Sequence, residues 1–181
     1  MEEKKKESVW VIDPVHSRIR FDTKYLLLTP VSGWFNQFEG SVVTTEDNFN
    51  GSQAQLTIYT NSVYTGNEER DNHLRSTDFF DAANFPMITW KSKQVRVQGD
   101  QIEANGTLTI KGIDQDITLQ AQHVGSSPDP MGNVKAGFTL DAKLNRKDFN
   151  ITWNQHIDKH GLLLSDEVIL HCDVQLLKLP S

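Results

Sequence analysis

The sequence predicts an all-β domain of about eight antiparallel strands closed into a barrel, with one short helical insert. Three observations carry that prediction. Apolar residues recur at every second position along most of the chain, the period of a strand with one buried face. Glycine and proline turns separate the runs. Only about residues 66–83 depart from the two-residue period, and they read as helix.

Residues 1–8 form a charged tail, expected to be disordered, ahead of a single domain over 9–179. In Ser17–Tyr25, Ile19, Phe21 and Tyr25 share one face while Arg18, Arg20, Asp22 and Lys24 take the other. A strand follows around Phe35 to Val43. Leu56 and Ile58 alternate with Gln55 and Thr57, and Ile88, Trp90 and Ser92 alternate with Thr89, Lys91 and Lys93. Ile102, Ala104, Gly106, Leu108 and Ile110 form the next line, then Ile117, Leu119 and Ala121. Val134 to Leu144 gives the longest alternation, and Val168 to Leu176 closes the chain. Lys111-Gly112, between two alternating runs, is a hairpin signal.

Strands of this kind must hide one face and two sheet edges. A closed barrel does both, and at about eight strands its interior is either filled by side chains or holds one small ligand. A two-sheet sandwich has the same periodicity and is the alternative.

The chain has 181 residues, 23% of them charged, and a net charge of −6, which argues against nucleic acid as a partner. One cysteine, Cys172, excludes an intramolecular disulfide and a multi-cysteine zinc site. No apolar run is long enough for a membrane span, and none follows the charged N-terminus. The expectation is a cytoplasmic protein without stable membrane insertion, or a periplasmic one if the chain is a trimmed mature form.

In the insert, Thr65-Gly-Asn-Glu68 fits a capping box, with Thr65 as N-cap and Glu68 reaching back. Asp71 and Arg75 have the spacing of an exposed ion pair. Pro86 pushes Phe85 out of helical geometry and returns the chain to a strand. Leu74, Phe79, Phe80 and Phe85 are the apolar remainder, placed as a lid over a barrel mouth.

Three groupings invite a reading as chemistry, and each has a plainer one. Asp71, His73 and Asp78 would be a metal site only if they converged; two-residue spacing on a helix points Asp71 and His73 apart. His156 and His160 have the spacing of zinc hydrolases, but Ile157 stands where the general-base Glu belongs, so a metal-dependent hydrolase is a secondary reading. Asp13, His16 and Ser17 crowd into five residues at a strand start, where a turn explains them as well as a triad does. Cys172 sits between Leu170 and Val174 on an apolar face, as an inert core thiol would. No metal ion or cofactor is expected.

The chain as a whole resembles the YceI-like family, lipocalin-like proteins that bind polyisoprenoids and related lipids. The resemblance runs from Val9 to Leu177. It rests on Trp10–Ser17, Gly33–Phe38, Arg70-Asp71, His73-Leu74, Asp78–Asp81 with Phe85-Pro86, Leu108–Gly112, Asn145-Arg146 and Asp148-Phe149, in order. Asn150 stands where the family usually has glycine, and Asn tolerates a positive φ. The resemblance implies an eight-stranded lipocalin-like barrel around an elongated apolar cavity. The implied ligand is a long chain, such as an isoprenoid quinone, a polyprenyl chain, or a fatty acid or amide, bound without chemistry. It assigns Phe21, Tyr25, Phe35, Phe38, Ile58, Leu74, Phe79, Phe80, Trp90, Leu108, Phe138, Phe149 and Trp153 to the ligand's surroundings. Arg70, Arg75 and Arg146 are candidate contacts for its head group, although the net negative charge favours a neutral one such as a quinone. The resemblance also allows a homodimer. A filled, ligand-free interaction module is the remaining alternative.

Overall fold

The structure, a computed structural model, describes residues 5–26, 28–45, 47–155 and 163–181. Residues 1–4 of the expected tail, and His156 and His160, lie outside the described residues. Eleven strand segments, one α-helix and two short 3-10 turns make up the described fold. The strands are β1 (Ser8–Ile12), β2 (Arg18–Tyr25), β3 (Thr29–Phe35), β4 (Phe38–Thr44), β5 (Gln53–Tyr59) and β6 (Val63–Tyr64). After helix α1 (Glu68–Arg75) come β7 (Met87–Gln98), β8 (Gln101–Ile110), β9 (Ile113–Pro128), β10 (Val134–Asn145) and β11 (Glu167–Lys178).

The ring runs β1-β4-β5-β7-β8-β9-β10-β11, and β1 pairs back onto β11 through Trp10↔Lys178, Val11↔Leu177 and Ile12↔Leu176. That closes eight antiparallel strands into a ring, so the barrel rather than the sandwich is the fold. The other three segments extend ring strands past a bend: β2 continues the line of β1 along β11, β3 pairs with β2, and β6 pairs with β3.

Each bend has a local cause. At Asp13-Pro14 the chain leaves the ladder, because proline has no N–H to donate. Ser17 repairs the gap, its Oγ accepting from the Gln175 N–H at 2.9 Å. At Asn36-Gln37 the single strand expected around Phe35 to Val43 breaks between β3 and β4, so one half pairs with β2 and the other with β1. Ser62 supplies the acceptors there, taking the Asn36 N–H on its carbonyl at 3.1 Å and the Gln37 N–H on its Oγ at 3.0 Å.

Lys111 and Gly112 both hold positive φ (52° and 72°), which makes the tight β8–β9 hairpin. Asn150 also holds positive φ (56°) and ends the 3-10 turn Arg146–Phe149, so the asparagine serves where glycine was expected. At Gly33 a close approach fixes the residue. A Cβ there would lie 2.3 Å from the Phe21 Cζ, because the Phe21 ring lies flat across its cross-strand partner.

The Asp13 bend also carries an ion pair linking β1 to β10. Asp13 Oδ2 accepts from Lys135 Nζ at 2.8 Å and lies 2.8 Å from His16 Nδ1. The Lys135 bond holds the Asp13 carboxyl down at about 2, against the upward pull of burial, with His16 and the Val15 N–H assisting.

Two outcomes follow from these contacts. Asp13 has a folded pKa below its unfolded one, so its contribution is complete above the ordinary carboxylate range and is lost as pH falls through about 2. Lys135→Met is expected to cost about 1.5–3 kcal/mol at pH 6. The gap from wild type should shrink as pH falls from 4 toward 2, as followed by denaturant titration at each pH. Gly33→Val forces the Phe21 ring off the wall and is expected to cost about 1–3 kcal/mol in urea unfolding.

Candidate ligand-binding site

The inward residues of the ring do not meet. They enclose a cavity of about 270 Å³ with an almost wholly apolar lining. Alanines at 54, 104, 121 and 142 are among the smallest of the lining residues, and aromatic rings cluster around Phe35 and around Phe49.

At one end the rings are Phe21, Phe35 and Phe80. Phe21 and Phe35 are 5.4 Å apart, and Phe80 meets Phe35 edge-on at 5.6 Å. Phe80 comes from the lid, with Leu74 and Phe79. Phe79 is backed from outside by Trp153 at 5.4 Å and by His73 at 5.0 Å. At the other end Phe49 closes the barrel, tilted against Trp10 (5.1 Å) and edge-on to Phe138 (5.2 Å) and His123 (5.7 Å). Phe49 sits in the polar β4–β5 loop at φ 69°, an unfavourable backbone for an aromatic residue that directs its ring inward.

The lid's polar residues do different work from that expected. Asn67 is the N-cap of α1, its side chain accepting from the Arg70 N–H at 2.9 Å, so the Thr65–Glu68 capping box is corrected. Gly66, at φ 79°, turns the chain between Thr65 and the helix and leaves Thr65 two positions before the N-cap. Thr65 instead donates its N–H (2.8 Å) and hydroxyl (2.5 Å) to Asp71. Asp71 is buried and does not pair with Arg75 on the surface. Its carboxylate ties the helix to the strand that precedes it. His73 Nε2 lies 2.8 Å from Asp78 Oδ2, which makes a lid contact rather than a metal site. Among the described residues no three or more His, Cys, Asp or Glu side chains are grouped to hold a metal ion.

The three arginines are engaged by the protein itself. Arg70 donates to Thr65 Oγ1 at 2.8 Å and to the Thr65 carbonyl at 2.9 Å. Arg75 donates to Asn72 Oδ1 at 2.7 Å. Arg146 is buried in the cavity wall, yet its guanidinium turns to the carbonyls of Ser165 (3.0 Å), Ile151 (3.0 Å) and Trp153 (2.6 Å). It fastens the segment that backs the lid, with Asp166 3.6 Å from Nη2.

Of the residues assigned to the ligand's surroundings, Phe21, Phe35, Ile58, Leu74, Phe79, Phe80, Trp90, Leu108, Phe138 and Phe149 line the cavity. Tyr25, Phe38 and Trp153 do not. Tyr25 is half exposed at the strand tip, where it bridges to Leu164. Phe38 follows the Asn36-Gln37 bend and is buried away from the cavity. Trp153 covers the lid from outside. Phe49 went unread in the sequence; a lone aromatic in Thr45–Ser52 is the signal that could have found it.

The groups that suggested catalysis are otherwise occupied. Ser17 bonds the Gln175 backbone, and Asp13 is held by Lys135. Cys172 lines the cavity with its thiol pushed up to about 11 by burial, far from thiolate character at neutral pH.

A model of the YceI-like domain matches residues 10–176. Protein YceI of Salmonella newport is 39% identical over 137 residues, which cover 76% of this chain and 72% of that protein. The Campylobacter jejuni YCEI protein superposes with a TM-score of 0.74 at 31% identity, covering 87% of this chain and 90% of that one. A polyisoprenoid binding domain from Saccharophagus degradans shares the fold, with a TM-score of 0.65 at 18% identity over 93% of this chain and 97% of its own. With a family model matched over most of its length and a relative 39% identical, this chain belongs to the YceI-like domain family.

Proposed function

We propose that the barrel is a non-enzymatic carrier or store for a long apolar chain: an isoprenoid quinone, a polyprenyl chain, or a fatty acid or amide. The apolar cavity under an aromatic lid supports this reading most directly. At roughly 30 Å³ per water-sized unit, its 270 Å³ takes a chain of about nine such units with the lid closed. Each buried CH₂ contributes about 0.8 kcal/mol, so such a segment yields about 7 kcal/mol, within the range that association costs. A longer isoprenoid needs the lid to swing or one end to open. An almost wholly apolar wall selects by length and width and is permissive about the rest. The kinship with a protein described as a polyisoprenoid binding domain agrees with this class of ligand.

Protein purified from its own host and denatured should release a long-chain molecule near one equivalent, read by mass spectrometry. No such molecule, together with no uptake of a long-chain fluorescent probe, refutes the carrier reading. Ala104→Phe fills part of the cavity. It is expected to weaken probe binding at least about tenfold while the melting temperature holds or rises, since the ring occupies existing space.

A further inference from the structure

The barrel wall is incomplete on one side. The ladder between β5 and β7 runs from Tyr59↔Met87 to Gln55↔Lys91 and stops. β7 continues to Gln98 paired only with β8, after a bulge between Ser92 and Gln94 turns it away. Loop and side-chain bonds span the split: the Ala54 N–H donates to Ser92 Oγ (2.8 Å), the Gly51 N–H to the Val95 carbonyl (3.0 Å), and the Val97 N–H to Asn50 Oδ1 (3.1 Å). An outer groove of about 760 Å³ lies over this split. It shares Ser41, Ser52, Ala54, Gln55 and Val95 with the inner cavity.

The chemistry of the groove differs from that of the lid end. Its walls carry Lys91, Lys93 and Arg96 and no acidic residue, in a chain whose net charge is −6. Lys93 is paired with Asp116 at 2.8 Å. Lys91 and Arg96 have no ion pair among the described residues, even though Glu103 stands across the ladder from Arg96. At the lid end, by contrast, Arg70, Arg75 and Arg146 are engaged by backbone and side-chain acceptors.

We infer that the β5–β7 split is a lateral mouth that seats the anionic head group, a phosphate or carboxylate, of a long-chain lipid. Lys91 and Arg96 take the charge, and serine, asparagine and glutamine side chains of the groove supply hydrogen bonds. The chain enters past Ala54 and Val95 and runs toward the lid. This rests on the carrier reading and adds to it the head group and its place.

The test compares hexadecyl phosphate and palmitate, below their micelle concentrations, with uncharged hexadecanamide and with inorganic phosphate. The proteins are wild type and the Lys91→Ala/Arg96→Ala variant, whose altered side chains are exposed. The double substitution is expected to weaken both anionic probes at least about tenfold and to leave the amide unchanged. Anionic binding to wild type should also fall with added salt. Anionic affinity that is indifferent to the substitutions while the amide still binds overturns the lateral site and leaves the carrier intact. Inorganic phosphate binding as tightly as hexadecyl phosphate makes the groove a free-anion site and also overturns it. Failure of every long-chain probe on wild type overturns the carrier itself.

Discussion

Closure of the ring between β1 and β11 is the constraint on which the rest depends. Only three registered pairs make that seam, reinforced by the Asp13 N–H donating to the Gln175 carbonyl at 2.8 Å and the Leu179 N–H to the Val9 carbonyl at 2.8 Å. Without it, two edges and one long apolar face would meet water. With it, every inward side chain faces one shared interior, and strand number leaves room for one ligand only if those side chains are small enough. The small alanine side chains in the wall decide that question in favour of a cavity.

The same closure explains why so many polar residues that look chemical are structural. A barrel bent at Asp13-Pro14, Asn36-Gln37 and Thr60–Ser62 leaves donors and acceptors inside its wall, and buried ones must be satisfied. Ser17, Ser62, Asp71 and Arg146 are the groups that satisfy them. Arg146 alone gathers three carbonyls, so its conspicuous place beside an apolar cavity reflects the segment it fastens.

Strand positions and inward faces were legible in the sequence because a side chain's side of the sheet depends only on its parity along the strand. The Lys111-Gly112 hairpin and the Asn150 turn were legible because positive φ has a short list of tolerant residues. The bend at Asn36-Gln37 was not, since it exists to let one strand change partners, and partners are far apart in the chain. Asp71 was misplaced for a related reason. Helical spacing says what it can reach on its own helix and nothing of Thr65, held beside it by the turn at Gly66. Tyr25 shares its periodicity with lining residues but is the last residue of β2, Phe38 lies just beyond the Asn36-Gln37 bend, and Trp153 lies in no strand. The β5–β7 split is a property of register between two strands, and no single stretch of sequence carries it.

An apolar cavity and a set of engaged polar groups together bear on what the site does. Catalysis needs charges held ready where charge develops, and this lining offers a buried thiol pushed up to about 11 and an arginine committed to carbonyls. Such a wall discriminates through volume and through whatever lies at its openings. The lid opening is aromatic and its charges are internally matched. The groove over the split is polar, and among the described residues its charges without an ion pair are all of one sign. On the lateral-mouth proposal, a chain molecule with one charged end would have only one way round in such a barrel, and the asymmetry of the two ends, more than the lining, would set the direction in which it lies.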